Sequence, residues 1–515
     1  MDRHEEKVAV ISERVKSFHS RGEKFRIYHG STNTTRSTIR RKDNVVDTSS
    51  LDSVIKVDTE SKTALAEPNV SMEKLLEACL SSGLMPLVVP EFRTITVGGA
   101  FAGTAGESSS FKHGIFDSTI NSIEVVLADG GVIHASKTQN SDLLYGSAGA
   151  CGTLGVVTLL EVELMDAKPY VELEHKSISS PDEAMTLLEH AFEDSSIDFV
   201  EGILFSPSSG VILTGRLISA PSPSTPIHRF TRPQDQHFYR HCEKLLHSST
   251  ARKSSQPITD VIPIRDYIFR YDRGCFWAAK YAFRYFGVPF NRITRFFLDP
   301  LMKASIMFQA LHESGLAAQG IIQDVSFPVA NAAQFVSYVG SRLDCYPLWL
   351  CPLRATAAEK IAGKSVGRSF GMGRDAPMDG KYVNVGVWCM APSKSPEEFV
   401  RLNREIEGKV HELRGLKALY AHTYYTQDEF WSVYDKEGYD ALRVKYQATG
   451  LPSVYDKVKV VVAEDKAEWK SDATFPMNLI SMFKALFWNA GPFSGLYGVW
   501  RTIVSREYLL KDKIV

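Results

Sequence analysis

The stretch best suited to chemistry is the glycine-rich run at residues 96–110, TVGGAFAGTAGESSS. It holds four glycines and several small hydroxyl residues, without a Lys or an Arg. Backbone that carries no side chain can approach a ligand closely, and successive N–H groups can form an anion-binding concavity. The Ser and Thr hydroxyls add further hydrogen-bond donors. The run predicts a phosphate-binding loop, with a purely structural turn as the alternative.

A second turn of similar type precedes it. A short predicted strand at residues 25–29 runs into Gly30-Ser31-Thr32-Asn33, where Gly30 permits close approach and three polar side chains follow. We interpret this segment as a second candidate phosphate turn. The neighbouring His29 is interpreted as a packing or surface residue, with a covalent ligand anchor as the alternative.

The elements around these turns are short strands and hairpins. Val8, Ile11, Val15 and Phe18 recur at helical spacing and predict an amphipathic first helix. A hairpin is predicted from strands at 54–58 and 63–68, followed by a helix that Ser71 caps and Gly83 closes. No GxGxxG lies between a strand and a helix, so the pattern excludes a Rossmann unit.

Bulk composition narrows the class of protein. A chain of 515 residues predicts two or three domains. The 59 Lys and Arg nearly balance the 60 Asp and Glu, so nucleic acid is not an expected partner. Seven scattered cysteines without a CxxC pair indicate neither a zinc site nor a disulfide framework, so we expect no metal and a reduced, intracellular compartment. The charged N-terminus lacks the apolar segment of a secretory signal.

Several motifs, taken in order, resemble a known superfamily. The chain contains PEFRTITVGGAFAGTAGESSSFKHGIF, then VVLADGGVI, then NSDLLYGSAGACGTLGVVT. This succession looks like the FAD domain of the vanillyl-alcohol-oxidase type. Within that superfamily, ESSSFKHG, FVEGILFS (199–206), YPLWLCP (346–352) and LYAHTYYTQDEFW (419–431) resemble the delta(24)-sterol reductases. The resemblance extends from about residue 25 to about residue 458.

The resemblance implies an α+β fold. A PCMH-type FAD-binding domain of two subdomains is expected at 1–166, and an α+β cap or substrate domain at 167–460. Residues 461–515 form an apolar tail. Its segment 475–504 is apolar but interrupted by polar residues, which favours a membrane-interfacial segment or packing against the FAD domain over a full span.

The resemblance also implies where FAD lies, held non-covalently. The first glycine turn, Gly30 to Asn33, is expected at the pyrophosphate. The other expected cofactor-binding residues are Thr96, Val97, Gly98, Gly99, Ala100, Phe101, Ala102, Gly103, Thr104, Ala105, Gly106, Glu107, Ser108, Gly152, Thr153, Gly155 and Val156.

The reaction implied by the resemblance is reduction of an isolated side-chain double bond, of delta-24 type, in a sterol. NADPH is the expected electron donor. An isolated alkene needs a proton at one carbon when hydride adds to the other, so the site needs a general acid. The candidate acids are Tyr346, Tyr420, His422, Tyr424, Tyr425, Glu429 and Tyr434, with Glu107 as a further possibility and simple aromatic packing as the alternative for most.

The sequence also allows other functions. The same chemistry on a sterol-like terpenoid of secondary metabolism is one alternative, and an FAD-linked oxidase or dehydrogenase of an alcohol or amine is another. A sterol-binding protein without turnover is a third. The aromatic and basic segment 264–307 is predicted to be core, or else a membrane-interface border for a lipid. We therefore expect peripheral membrane contact, at the endoplasmic reticulum membrane, or a cytoplasmic protein.

Overall fold

The computed structural model describes residues 2–30, 40–223, 225–247, 258–354, 360–361, 364–365, 380–392, 395–421, 423–460, 492–504 and 510–511. The helices are α1 (Asp2–Ser20), α2 (Met72–Leu80), α3 (Val97–Gly103), α4 (Ser110–His113), α5 (Ser141–Ser147), α6 (Pro181–Ala191), α7 (Phe238–Leu246), α8 (Ile264–Ile268), α9 (Ala278–Tyr285), α10 (Arg292–Leu298), α11 (Ala304–Glu313), α12 (Val329–Leu343), α13 (Pro396–Glu412), α14 (Gln427–Val433), α15 (Lys436–Lys445), α16 (Val454–Val458) and α17 (Phe493–Val504).

The strands are β1 (Arg26–Tyr28), β2 (Arg40–Arg41), β3 (Val45–Asp47), β4 (Val54–Asp58), β5 (Thr63–Ala66), β6 (Leu84–Pro86), β7 (Ile120–Val126), β8 (Val132–Ser136), β9 (Val156–Asp166), β10 (Tyr170–Ile178), β11 (Phe199–Ser206), β12 (Ser209–Ile218), β13 (Ile258–Pro263), β14 (Gly320–Pro328), β15 (Leu348–Arg354), β16 (Lys360–Ile361), β17 (Lys364–Ser365), β18 (Lys381–Met390), β19 (Leu416–Lys417) and β20 (Leu510–Lys511).

The first part of the chain forms a sheet with the order β4-β5-β9-β7-β8, and β6 pairs with the far end of β9. Each of these pairs is antiparallel, which the hairpins predicted from the sequence require. The predicted face of α1 is buried, with Val8, Ile11, Val15 and Phe18 in the same core. The two-strand pair β1–β3 is parallel and carries the chain toward the first glycine turn.

The second part forms an eight-stranded sheet with the order β13-β10-β12-β11-β15-β18-β14-β19. Helices α6, α12 and α13 cover one face of this sheet, and their apolar side chains form a second core. Successive side chains of a strand point to opposite faces. In β14, Val325 and Phe327 therefore join that core, whereas Asp324 and Ser326 face the other way. This arrangement confirms the α+β expectation.

Helices beyond residue 435 pack near the first sheet. The Tyr439 hydroxyl donates a 2.7 Å hydrogen bond to Thr153 Oγ1, and Lys445 pairs with Asp142 at 2.6 Å. Lys457 Nζ donates to the Cys151 carbonyl at 2.8 Å. Helices α15 and α16 thus pack against α5 and the loop before β9, whereas residues 167–460 are expected from the sequence to form the cap.

The aromatic and basic segment 264–307 is mostly core. Tyr267, Tyr271 and Trp277 are fully buried. The exposed exception is α10, where Ile293, Phe296 and Phe297 are 68%, 47% and 74% exposed. None of the helices in the described part of the chain combines the length and the hydropathy that a bilayer crossing requires.

A buried ion pair in the second part of the chain joins β11 to the segment after α8 and reaches the glycine segment through Ser108. Arg270 donates from Nε and Nη2 to Glu201 Oε1 at 3.0 and 2.9 Å, and Nη2 also lies 3.2 Å from Ser108 Oγ. The second carboxylate oxygen accepts from the Tyr271 hydroxyl at 3.0 Å and from the Trp349 indole at 2.7 Å. Both charges are completely buried, so their desolvation has to be offset by these hydrogen bonds.

Replacing Glu201 by Ala should lower the free energy of unfolding by about 3–5 kcal/mol, because Arg270 would keep its buried charge without a partner. Denaturant unfolding followed by Trp fluorescence measures this loss, and Glu201→Gln should lose less because an acceptor remains. Glu398→Ala removes an exposed pair with Arg401 and should leave the midpoint unchanged. Equal midpoints for Glu201→Ala and wild type would contradict the structural role of the pair.

Candidate active site

A cavity of about 1370 Å³ lies between the first sheet and the inner face of the cap sheet. One end is lined by Thr96 and by residues 98–106, together with Gly152 and Gly155. The other end is lined mainly by aromatic and aliphatic side chains of α9 to α11 and of the cap sheet. Large, mostly apolar cavities with a few convergent polar groups are typical of ligand sites.

The glycine-rich run is partly helical rather than a loop throughout. Residues 97–103 form α3, and the Thr96 hydroxyl caps this helix by accepting from the Gly99 N–H at 3.1 Å. Val97 and Phe101 are buried, so tertiary packing outweighs the poor helix propensity of glycine. A Cβ on Gly98 would lie 2.6 Å from the Pro68 side chain, which explains why this position needs glycine.

The lining of this end suits a flat anionic cofactor such as FAD. Gly103 lines the cavity, and a Cβ on it would meet no atom within 4 Å, so a ligand can lie directly on its backbone. Arg26 and Lys457 also line the cavity and supply positive charge for phosphate oxygens. Residues 98–106 would hold the cofactor at this end of the cavity when the cofactor is bound.

Most of the expected cofactor residues line the cavity. Those that do are Thr96, Gly98, Gly99, Ala100, Phe101, Ala102, Gly103, Thr104, Ala105, Gly106, Gly152 and Gly155. Val97, Thr153 and Val156 are instead buried behind the lining, where Thr153 accepts from Tyr439. Ser31, Thr32 and Asn33 lie outside the described residues, whereas His29 lines the cavity.

Glu107 and Ser108 also lie behind the lining. The Ser108 hydroxyl donates to Glu107 Oε2 at 2.8 Å and lies 3.2 Å from the Tyr267 hydroxyl. Burial raises the pKa of the Glu107 carboxyl. These two residues therefore connect the glycine segment to the Arg270–Glu201 pair rather than facing the cavity.

Five of the predicted acids do not line the cavity, and one of them is Tyr434, whose buried hydroxyl donates to the Lys417 carbonyl. Tyr424 and Tyr425 are buried, and Tyr346 is half-buried beside α12. Glu429 caps α14 through Thr426 and pairs with Arg404 at 2.9 Å. The Thr426 backbone N–H, and then Arg404, hold the pKa of Glu429 below its usual value, which is unsuitable for a proton donor. His422 lies outside the described residues.

Tyr420 is the candidate acid that the structure brings to the cavity. Its hydroxyl donates to Asp324 Oδ2 at 2.5 Å, and the Asn384 amide donates to Asp324 Oδ1 at 2.9 Å. All three residues line the cavity. Burial raises the pKa of Asp324, and burial together with Asp324 raises the pKa of Tyr420 well above its ordinary value. Asp324 was missed in the sequence, although an acid in an otherwise apolar strand was a usable signal.

Glu91 is a second group that sequence reasoning missed. It lines the cavity just before the glycine segment and is only 6% exposed. Burial, and then the nearby Glu107, raise the pKa of this carboxyl well above its usual value. Its Oε1 has no hydrogen-bond partner within the described chain. The cavity thus holds a carboxyl that keeps its proton to unusually high pH.

Replacing Gly103 by Val should abolish most flavin binding, because the new side chain would stand in the cavity where the cofactor is expected. We expect flavin affinity to fall at least about tenfold, measured as the flavin-to-protein ratio after gel filtration. Gly408→Val is the matched control, since Gly408 also has open space at its Cβ but is exposed on α13. Full flavin content in Gly103→Val would place the cofactor elsewhere.

Comparison with known proteins agrees with this geometry. The family described as an FAD binding domain matches residues 5–136. The chain is 28% identical to the delta(24)-sterol reductase of Homo sapiens, over 88% of this chain and 86% of the relative. It is 29% identical to the delta(24)-sterol reductase of Arabidopsis thaliana, over 80% and 76% of the two chains. Cytokinin dehydrogenase 9 of Oryza sativa subsp. japonica is 29% identical over 30% of this chain. The chain is thus similar to delta(24)-sterol reductases over most of its length, and residues 5–136 match the FAD binding domain family.

Proposed function

We propose that this protein reduces an isolated side-chain double bond, of delta-24 type, in a sterol, using FAD and NADPH. The observation that carries the proposal is a continuous cavity that joins the FAD-suited glycine segment to an apolar space with buried acids. The similarity to delta(24)-sterol reductases supports the same reaction. We include NADPH because a reduction of this class requires an electron donor.

The apolar part of the cavity suits a sterol. Its lining includes Phe283, Phe286, Leu301, Phe308 and Leu311, and these side chains offer no charge to the ligand. Burial of a large hydrocarbon ligand against such walls is favourable by roughly 25 cal/mol per Å². The cavity is also large enough to hold a sterol beside part of the cofactor.

The alkene determines what the protein must supply. An unconjugated double bond has no carbonyl to polarise, so a hydride has to reach one carbon and a proton the other. Bound FAD, once reduced by NADPH, supplies the hydride chemistry. Phe276, Trp349 and Trp388 line the cavity and pack on one another, with 4.0 Å between the ring centroids of Phe276 and Trp388. These rings exclude water around the reacting carbon atoms.

We assign the proton to the Tyr420–Asp324 pair. Both side chains lie on the cap side of the cavity, facing the glycine segment, and the hydroxyl is already hydrogen-bonded to the carboxyl. The Asn384 amide holds Asp324 in place through its other oxygen. Tyr420 can give its proton to the alkene carbon while a protonated Asp324, whose pKa burial raises, passes its own proton to the Tyr420 oxygen and is left as the carboxylate.

The experiment is an anaerobic half-reaction. NADPH should bleach the bound flavin, and a delta-24 unsaturated sterol should restore its colour, with the saturated sterol detected by mass spectrometry. The corresponding saturated sterol should not restore the colour. Failure of NADPH to bleach the flavin would remove NADPH as the donor. Oxygen consumption with an alcohol, without alkene reduction, would instead support an oxidase.

The same assay tests the proton donor. Tyr420→Phe should retain flavin and its reduction by NADPH but lose roughly 100-fold or more in alkene reduction. Tyr434→Phe is the matched control, since this hydroxyl is buried against the Lys417 carbonyl and does not line the cavity. Wild-type turnover in Tyr420→Phe would remove it as the donor.

We further propose that the cavity receives its substrate from a lipid surface. Helix α17 is packed through small side chains, with Ser494, Gly495, Gly498 and Thr502 buried. A Cβ on Gly498 would lie 2.6 Å from the Ala310 carbonyl oxygen, so α17 lies very close to α11.

The large side chains of α17 face outward instead. Trp500 and Ile503 are 54% and 68% exposed, and Leu496 is exposed at the cavity lining. Helix α10 adds Phe297 and the exposed cation Arg292. Exposed aromatic and aliphatic side chains beside cations are typical of interfacial membrane contact. This surface is consistent with action at the endoplasmic reticulum membrane.

A double variant tests this contact. Phe297→Glu with Trp500→Glu should reduce cosedimentation with vesicles of phosphatidylcholine and phosphatidylserine on the order of tenfold or more, because apolar burial is lost and anionic lipid is repelled. Val444→Glu is the control, since Val444 is 68% exposed on α15, in the helices that pack on the first sheet. Equal vesicle binding by the double variant, or its effect only on self-association, would contradict a lipid partner.

A further inference from the structure

A cluster of histidines lies away from the cavity, where the cap sheet ends. His175 belongs to β10 and Asp260 to β13, the two strands at that edge of the sheet. His241 lies on α7. His228 precedes α7 in a segment that pairs with β13, its backbone N–H donating to the Val261 carbonyl at 2.8 Å. Four separate segments of the chain therefore meet at one carboxylate.

The ring nitrogens converge on that carboxylate. His241 Nε2 lies 2.7 Å and His175 Nε2 3.0 Å from Asp260 Oδ2, and His228 Nε2 lies 3.4 Å from Asp260 Oδ1. The donor atoms of His175, His241 and Asp260 all lie within 4.8 Å of one another. These three residues are buried, whereas the His228 side chain is 36% exposed.

His175 contacts Asp260 but has no partner in good hydrogen-bond geometry among the described residues. Neither of its ring nitrogens has a hydrogen-bond partner within the described chain, although the residue is only 6% exposed. The short distance from Nε2 to Asp260 lacks hydrogen-bond alignment. Burying an imidazole without hydrogen bonds costs folding free energy unless another group binds its nitrogen atoms.

We propose that His175, His241 and Asp260 bind a divalent transition metal ion, with zinc as the expected occupant and the partly exposed His228 side chain moving in as the fourth ligand. Zinc binds imidazole nitrogens and carboxylate oxygens at about 2.0–2.2 Å, usually with four ligands in a tetrahedron. Donor atoms in such a tetrahedron lie roughly 3.3 Å apart, as these distances and angles require. The nitrogen–oxygen separations observed here fall around that value.

The site is structural in this proposal. All four positions are filled by protein side chains, so no position is left for a substrate. The ion would link the sheet edge to α7, whose Phe238 packs against Tyr271 with 5.2 Å between ring centroids. Tyr271 in turn stacks on Phe276, a residue of the cavity wall, at 3.9 Å. The metal ion would thus stabilise one wall of the cavity without lying in the cavity itself.

The sequence gives no short motif for this site. The four ligands are spread from residue 175 to residue 260, and the expectation of no metal rested on the absence of closely spaced cysteines. The antiparallel pairing of β10 with β13 places His175 and Asp260 on neighbouring strands. Only the fold brings the four side chains together.

The test uses the full-length flavoprotein without a histidine tag. After chelation and dialysis against zinc, elemental analysis should find one zinc ion per chain, and the melting temperature should rise with zinc. His175→Gln and His241→Gln should bind zinc at least about 100-fold more weakly, since even outer-shell partners contribute up to that amount. His190→Gln, an exposed histidine on α6, is the matched control and should bind zinc as wild type does.

Cobalt titration of the wild type decides the matter independently of the variants. One equivalent of cobalt(II) should give the intense visible bands of a four-coordinate site. A weak six-coordinate spectrum, or wild-type protein that retains no zinc, overturns the proposal. Equal zinc binding by His241→Gln and wild type, with both folded, overturns it as well.

Discussion

The buried ion pair between Arg270 and Glu201 is the interaction on which the rest of the structure depends. Arg270 reaches Ser108 behind the glycine segment, while Glu201 belongs to β11 of the cap sheet. Tyr271 and Trp349 donate to the same carboxylate. Because an unpaired buried charge is so costly, this network fixes how the cap residues around Glu201 meet the glycine segment at Ser108. That arrangement also defines the cavity between them.

Strand alternation then decides which side chains face the cavity. In β14 and β18 every second residue enters the core under α6, α12 and α13, and the residues between them face the cofactor end. Asp324 and Asn384 occupy such inward positions on neighbouring strands and meet in a hydrogen bond. Asp324 is therefore held on a central strand of the cap by Asn384, and it holds the Tyr420 hydroxyl in turn, which suits a group that must be positioned closely.

Local sequence patterns predicted much of the first domain. The glycine run, the antiparallel hairpins and the buried face of α1 follow from residue types and spacing that act over a few residues. The helix α3 was missed because packing of Val97 and Phe101 overrides the low helix propensity of glycine. Capping residues such as Glu429 resemble catalytic acids in sequence, and only the contact with Arg404 distinguishes the two roles.

Contacts between residues that lie far apart in the chain could not be predicted from the sequence. Asp324 meets Tyr420, and His175 meets Asp260, only because the cap sheet aligns strands that are distant in the chain. The packing of α15 and α16 on the first part of the chain depends likewise on hydrogen bonds such as that from Tyr439 to Thr153. The most direct measurement of the central claim, that cofactor and sterol share one cavity, is titration of the oxidised flavoprotein with a saturated sterol while the visible flavin bands are recorded. The account predicts a saturable perturbation of those bands at one sterol per chain. Sterol binding that leaves the flavin spectrum unchanged would contradict it.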